Sequence, residues 1–263
     1  IKKITTVTGE RVMSNRRIKI IFRKVRDANL NYRLIESGDR VAVALSGGKD
    51  SFTMLYFMDL LKQHTPLLFD IVPIYVDLGW DNDMEPLVEF CQGLGLELII
   101  EKTNIGRVVF ETRQEKNPCA LCSNLRRGAL NRVAKRYNCN KLALGHHLDD
   151  VVHTLFMSIL YESRFNVFKP STYLSRMDIT MIRPLIYVEE RDIRLFIESM
   201  GLNPVKNRCP ADGLTKRHEV AELFDQMEGM HPGIRQRIIS SLENIGPDCF
   251  WQPEPRSRGE KSK

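Results

Sequence analysis

The chain has 263 residues, 43% of them hydrophobic and 27% charged, which suits one large α/β domain or two small ones and excludes a disordered chain. A net charge of +6 and a pI of about 9.0 favour a polyanionic partner, with nucleic acid the first candidate. No apolar stretch is long enough to span a membrane, and the basic first thirty residues hold no long apolar run, so neither a membrane nor a secretory signal is expected and the expected location is cytoplasmic.

Residues 16–26, RRIKIIFRKVR, place Ile18, Ile21, Phe22 and Val25 at the i, i+3, i+4, i+7 spacing of one helix face. Arg16, Arg17, Lys19, Arg23, Lys24 and Arg26 fill the rest, either as the solvated side of a docked helix or as a surface for a phosphate backbone. RVAVAL (40–45) reads as a strand and residues 52–62 as a helix. FDIVPIYVD (69–77) is a second strand, followed by a helix over 84–94, and LELIIEKT (96–103) is a third. A helix follows Cys122 through about residue 137, then KLALG (141–145) is a strand and 151–161 a helix. ITMIRPL (179–185) and residues 189–200 complete the series as strand and helix. Alternation of this kind predicts a doubly wound α/β fold with a mostly parallel sheet. A basic helical segment is expected over 1–37, the α/β domain over 38–245, and a loose tail, proline-rich and then charged, over 246–263.

Ligands of such sheets sit beyond the carboxyl ends of the strands. Ser46–Ser51, Asp77 and GHHLDD (145–150) all fall there. SGGKDS (46–51) is too short for the Walker spacing, but the physics is related. Gly47 and Gly48 permit unusual backbone angles and close approach of a ligand. Asp50 and Ser51 can cap the new helix, and Lys49 with the hydroxyls of Ser46 and Ser51 can reach phosphate oxygens. An ordinary glycine turn would explain a lone Gly-Gly, but not all six positions after a strand.

There are six cysteines, and in a long chain without a signal peptide, metal or reactive-thiol chemistry is a better reading than disulfides. Cys91 and Cys139 read as packed, and Cys249 lies near the tail. Cys119 and Cys122 form a C-x-x-C placed between a strand and a helix, open to redox, zinc or cluster chemistry. Cys209 arrives much later, in NRCPADG. Three thiolates are one short of a closed zinc site, though His218 could supply a fourth ligand. Three thiolates on a [4Fe-4S] cube instead leave one iron open to a sulfur species.

SGGKDS resembles the signature of the PP-loop ATP pyrophosphatase superfamily. The resemblance implies that Ser46, Gly47, Gly48, Lys49, Asp50 and Ser51 hold the phosphates of ATP, with Asp77 near the nucleotide. GHHLDD matches the same superfamily and brings Gly145 to the ATP site. Asp149 and Asp150 could hold Mg²⁺, or one of them could merely cap the following helix. His146, His147 and His153 lack the clean ligand set of a zinc site.

With the late cysteine added, the pattern across 40–212 resembles the tRNA 2-thiocytidine synthetase group. That resemblance implies ATP-dependent activation of C2 of a cytidine in the anticodon loop and replacement of its oxygen by sulfur. It implies a [4Fe-4S] cluster on Cys119, Cys122 and Cys209, catalytic roles for Lys49, Asp150 and Cys209, and a sulfur donor such as a cysteine desulfurase. Members of the group are often homodimers. The chain departs from the group where a second C-x-x-C is common: here the late segment reads Cys209-Pro-Ala-Asp. Arg126 and Arg127 follow the cysteine pair and, with Arg16, Arg17, Arg23 and Lys24, could cradle tRNA; Arg183, in IRPL, matches a position near the active site. A lysidine-forming ligase shares the ATP loop without needing the thiols, a uridine thiolase shares both, and a zinc-containing RNA-binding protein would turn over no ATP.

Overall fold

The structure, a computed structural model, describes residues 16–80, 82–112, 118–205, 209, 216–246 and 249. The expected tail therefore lies almost wholly outside the described residues, as do residues 1–15 of the basic N-terminal segment.

Helix α1 (Arg16–Tyr32) precedes strand β1 (Arg40–Leu45), which leads through the glycine loop into α2 (Lys49–His64). β2 (Asp70–Asp77) is followed by α3 (Glu85–Gly93), and β3 (Ile99–Lys102) by one helical turn (Ile105–Arg107), a π-helical turn (Val108–Thr112) and α4 (Pro118–Arg136). β4 (Lys141–Ala143) feeds α5 (Leu148–Glu162). Then come β5 (Ser171–Leu174), β6 (Ile179–Ile182), α6 (Glu190–Met200), α7 (Lys216–Met230) and α8 (Ile234–Glu243). The sheet order is β3-β2-β1-β4-β6-β5. All neighbours are parallel except β5, which runs antiparallel to β6. The predicted doubly wound, mostly parallel sheet is the one observed, and its order reverses between β1 and β4, the switch point at which such sheets receive ligands.

β1 is apolar at every interior position because both faces are covered. Val41, Val43 and Leu45 join one core with α1, α2 and α6, whereas Ala42 joins a second core under α4 with Ile74, Val76 and Leu142. α2 is buried almost all round from Ser51 to Leu61, since it lies between sheet and neighbouring helices. The predicted face of α1 is confirmed: Ile18, Ile21, Phe22 and Val25 are buried in the main core. Tyr32 and Tyr187 both donate to Glu243, joining α1 to α8.

Several boundaries differ from the sequence reading. α4 begins at Pro118, in the first turn where proline is tolerated, so Cys119 and Cys122 lie inside the helix rather than before it. α5 begins at Leu148, which places Asp149 and Asp150 in its first turn. β5 escaped notice because four partly exposed residues carry little period, and α7 and α8 because charges interrupt their apolar spacing.

Phe196 fixes α6 above the glycine loop: it is fully buried, with ring centroids 5.0 Å from Tyr56 and 5.1 Å from Phe57. Phe196→Ala should cost about 3–5 kcal/mol in urea unfolding. A loss below about 1 kcal/mol would mean that α6 is anchored elsewhere.

Candidate active site

After β1 the chain turns at Gly47, whose φ of +77° glycine adopts without strain. Space is as decisive as angle, because a Cβ at Gly47 would stand 2.7 Å from Cβ of Val205. Gly48 is the N-cap of α2, and no side chain caps that end. The capping expected of Asp50 and Ser51 is therefore corrected. Ser51 Oγ donates to the Gly48 carbonyl at 2.8 Å, and Ser46 Oγ accepts the Gly48 N–H at 3.2 Å. The uncapped start of α2 leaves the positive end of a 16-residue helix at that switch point, the arrangement that receives phosphate.

Lys49 reaches Asp50 at 3.3 Å and Glu190 at 3.2 Å. Burial acts to lower its pKa, but the two carboxylates outweigh it and the net shift is upward. Asp50 is pushed up, first by burial, with His147 and Lys49 opposing. Its Oδ1 is buried without a hydrogen-bond partner. Asp77 ends β2, and its Oδ1 accepts the Gly79 N–H at 2.9 Å.

The exit of β4 closes the other side. Gly145 touches the start of α2, and a Cβ there would be 3.4 Å from the Asp50 carbonyl carbon. The buried His147 ring stands 3.7 Å from Asp50, 3.6 Å from Asp149 and 3.5 Å from Asp150. Burial disfavours its charge, but the nearby carboxylates of Asp149, Asp150 and Asp50 raise its pKa overall. Asp149 is buried, accepts the Glu190 N–H at 2.7 Å and meets Arg235 Nε at 3.0 Å. Burial would raise its pKa, yet His147, the Glu190 amide and Arg235 hold it at about 2. Asp150 accepts the His147 N–H at 3.1 Å and pairs with Arg217 at 2.9 Å. Both aspartates have committed oxygens to protein partners, so as a pair they do not fit the expected Mg²⁺ site. Asp150 takes the alternative role of reaching back over the helix start.

His146 is pushed down to about 4 by burial, and its ring centroid lies 4.9 Å from that of Phe168. Arg183 sits 4.7 Å over the same Phe168 ring and donates to the Lys169 carbonyl. Burial brings its pKa down to about 10.

Cys119 is exposed, and Cys122 and Cys209 are half-buried. Cys119 and Cys122 are three residues apart at the start of α4, hence on one side of it, beside the positive helix end. Burial raises the Cys122 pKa; Arg126 opposes this, and the neighbouring Cys209 and Cys119 reinforce it. The charges of the three thiols therefore act on one another. Among the described residues no three His, Cys, Asp or Glu side chains are arranged to hold a metal ion. His218 is exposed and meets Glu222 at 3.2 Å. Cys91 and Cys139 are buried, as expected, and burial lifts the Cys91 thiol to about 12.

The basic residues divide. Lys24 is engaged with Glu189 and Asp192, both at 2.8 Å, and Arg17 donates to the Leu195 carbonyl at 3.0 Å. Arg16 and Arg23 are exposed on α1. Arg127 is exposed and bonded to Asn124 at 2.7 Å, and Arg126 stands beside Cys122. Sequence reasoning missed Glu190, Arg217 and Arg235. Each is one charge among several in a polar helix, and nothing in its neighbours singles it out.

A PP-loop domain model matches residues 13–220. The tRNA-cytidine(32) 2-sulfurtransferase of Syntrophotalea carbinolica is 36% identical over 235 residues, 86% of this chain and 91% of the relative. The protein of the same name from Geotalea uraniireducens is 35% identical over 228 residues, covering 85% of this chain and 90% of the relative. Among solved structures, the U34-tRNA thiolase NcsA from Methanococcus maripaludis with its [4Fe-4S] cluster superposes with a TM-score of 0.71. It shares 29% sequence identity, with 89% of this chain and 81% of that chain covered. This chain belongs to the PP-loop family and, within it, to the family of the tRNA-cytidine(32) 2-sulfurtransferases.

The His146 environment has a consequence for stability. Its folded pKa of about 4 lies below the ordinary 6.5, so the unfolded chain takes the proton first as pH falls. Stability from this group is present above pH 6.5 and lost as pH falls toward about 4. Between pH 6.5 and pH 5 the loss should be about 2 kcal/mol, read by urea unfolding. His146→Asn should remove that part of the slope, and an unchanged slope would refute the assignment.

Proposed function

We propose that this chain is an ATP-dependent tRNA thiolation enzyme that adenylates C2 of a cytidine in the anticodon loop and replaces its oxygen with sulfur. The carrying observation is that the uncapped glycine loop, with Lys49, and the three-thiol neighbourhood share the carboxyl edge of one sheet. Ser46–Ser51 receive the phosphates of ATP, and Lys49 leaves Glu190 to face them. The C2 oxygen of the base attacks the α-phosphorus, and the bond to the β-phosphate oxygen breaks with its electron pair on pyrophosphate. Lys49 and the α2 N-terminus offset the charge that develops there. A sulfur nucleophile then adds at C2 and AMP departs with the former oxygen.

Cys119, Cys122 and Cys209 would hold a [4Fe-4S] cluster, which supplies an iron with an open position for a sulfur species. Arg126, beside Cys122, favours the thiolate form the cluster needs. Asp150 holds Arg217 at the mouth of the site. Arg16, Arg23, Arg126 and Arg127 meet the RNA backbone, whereas Lys24 is occupied within the fold. Cytidine is favoured over uridine by the names of the relatives at 36% and 35% identity; the uridine reading draws on NcsA at 29%.

Lys49→Ala should lower tRNA-dependent pyrophosphate release by about 10²–10³-fold. Release at the wild-type rate would remove the ATP half of the reading. Cys209→Ser should still release pyrophosphate but yield no thiolated nucleoside in a tRNA digest, and 2-thiocytidine in that digest would remove the thiol half. A digest of the wild-type product containing 2-thiouridine would decide for the uridine reading.

A further inference from the structure

The loop over 163–170 joins α5 to β5 and stands at the carboxyl edge of the sheet. Ser171 pairs with Ile182 at the end of β6, the Arg183 N–H donates to the Pro170 carbonyl at 3.0 Å, and the Phe168 ring lies against His146 and Arg183. Between this loop, α8 and the end of α1 lies a cleft of about 630 Å³, within the range of small-ligand sites. Val151, the neighbour of Asp150 in the chain, reaches its wall, so the cleft adjoins the candidate active site. No residue of the glycine loop and none of the three thiols lines it, so ATP binding and thiol chemistry leave it unused.

Its walls are apolar and aromatic, with Tyr32, Phe165, Val167 and Leu242 among them. Phe165 is 51% exposed, a large apolar ring kept at the surface beside a cleft. The polar groups are of two kinds. Glu243 Oε1 accepts from Tyr32 and Tyr187, which leaves Oε2 to accept a further donor. The Asn31 amide nitrogen donates to Tyr187 Oη at 3.1 Å, which leaves the Asn31 oxygen as a second acceptor. On the loop, Arg164 and Lys169 are exposed, and neither forms an ion pair among the described residues. Acceptors beside apolar walls, with cations on the loop, match the two ends of one nucleotide. A flat base stacks on an aromatic ring, its exocyclic amine donates to a carboxylate, and the phosphates on either side of it meet Arg164 and Lys169. Uracil presents an oxygen where cytosine presents that amine, so Glu243 disfavours it.

We propose that this cleft is a nucleobase site for the substrate RNA: Phe165 stacks an unpaired base, and Glu243 with Asn31 selects a base that carries an amino edge, cytosine over uracil. The proposal rests on the reading that RNA is the substrate, and binding of whole tRNA is measured separately so that the two can fail apart.

The test uses the full chain and fluorescence anisotropy at one salt concentration, with labelled oligocytidylate and oligouridylate of equal length and with unmodified tRNA. Oligocytidylate should bind about tenfold tighter than oligouridylate, the discrimination of one good base-edge contact. Glu243→Gln keeps an oxygen for the two tyrosines and puts an N–H donor in place of Oε2, so it should abolish or reverse that preference. Phe165→Ala should weaken both oligonucleotides about tenfold, the size of one lost stack, and Phe165→Trp should hold them. Thermal unfolding should be the same in all three variants as in the wild type, so that the changes belong to RNA binding. Equal affinity of the wild type for the two oligonucleotides, an unchanged preference in Glu243→Gln, or unchanged affinity in Phe165→Ala would each overturn the proposal, as would tRNA binding with neither oligonucleotide bound. A dimer that Phe165→Ala splits in light scattering, with RNA binding intact, would assign the cleft to a second copy of the chain instead. A wild-type chain that does not bind tRNA would overturn the functional reading itself.

Discussion

The upper half of the molecule depends on one buried carboxylate. Asp149, in the first turn of α5, accepts the first amide of α6 and meets Arg235 of α8. Arg235 in turn takes Asp225 and Glu228 from α7, at 2.6 and 3.3 Å. Removing charges from water is costly, and apolar replacements of similar volume are often as stable. What the carboxylate supplies is geometry: three helices from distant parts of the chain are fixed in one orientation around the glycine loop. It stays ionised because His147, the Glu190 amide and Arg235 outweigh the cost of burial.

That frame leaves the groups of the glycine loop less tightly held than the frame itself. Lys49 sits between two carboxylates, and its side chain keeps about a third of its exposure. Ion pairs of this kind contribute roughly 0–1 kcal/mol each, so a phosphate with its larger charge displaces them readily. The loop stands charged and oriented, with counter-ions that a ligand exchanges rather than a bond network that it must dismantle. The thiols show the complementary case. Burial and mutual charge hold Cys122 in its neutral form, and a cation among the three reverses that preference.

Much of this could be read from the sequence, and the reasons are local. The apolar runs of β1 and β2 and the glycines after β1 carry short-range signals, because strand period, turn chemistry and helix spacing act over a few residues. The α1 face was legible for the same reason. The role of Asp149 was not: an Asp-Asp pair before an apolar helix looks alike whether it binds metal, caps the helix or clamps distant elements. Lys24 looked like part of an RNA surface until Glu189 and Asp192, more than 160 residues away, closed on it. Its net charge was legible, but its partners were not.

The sequence by itself determined the doubly wound sheet, the phosphate loop at its carboxyl edge and the three cysteines set apart from the packed ones. These are properties of neighbours along the chain, where spacing fixes geometry. Only the tertiary structure decided which charges are free and which are consumed: Arg217 on Asp150, Arg235 on Asp149, Lys49 on Glu190. Each pairs residues far apart in sequence, and hydrogen bonds and close packing act only over a few ångströms. Such contacts are set by the folded path of the backbone and leave no period or motif in the order of the residues.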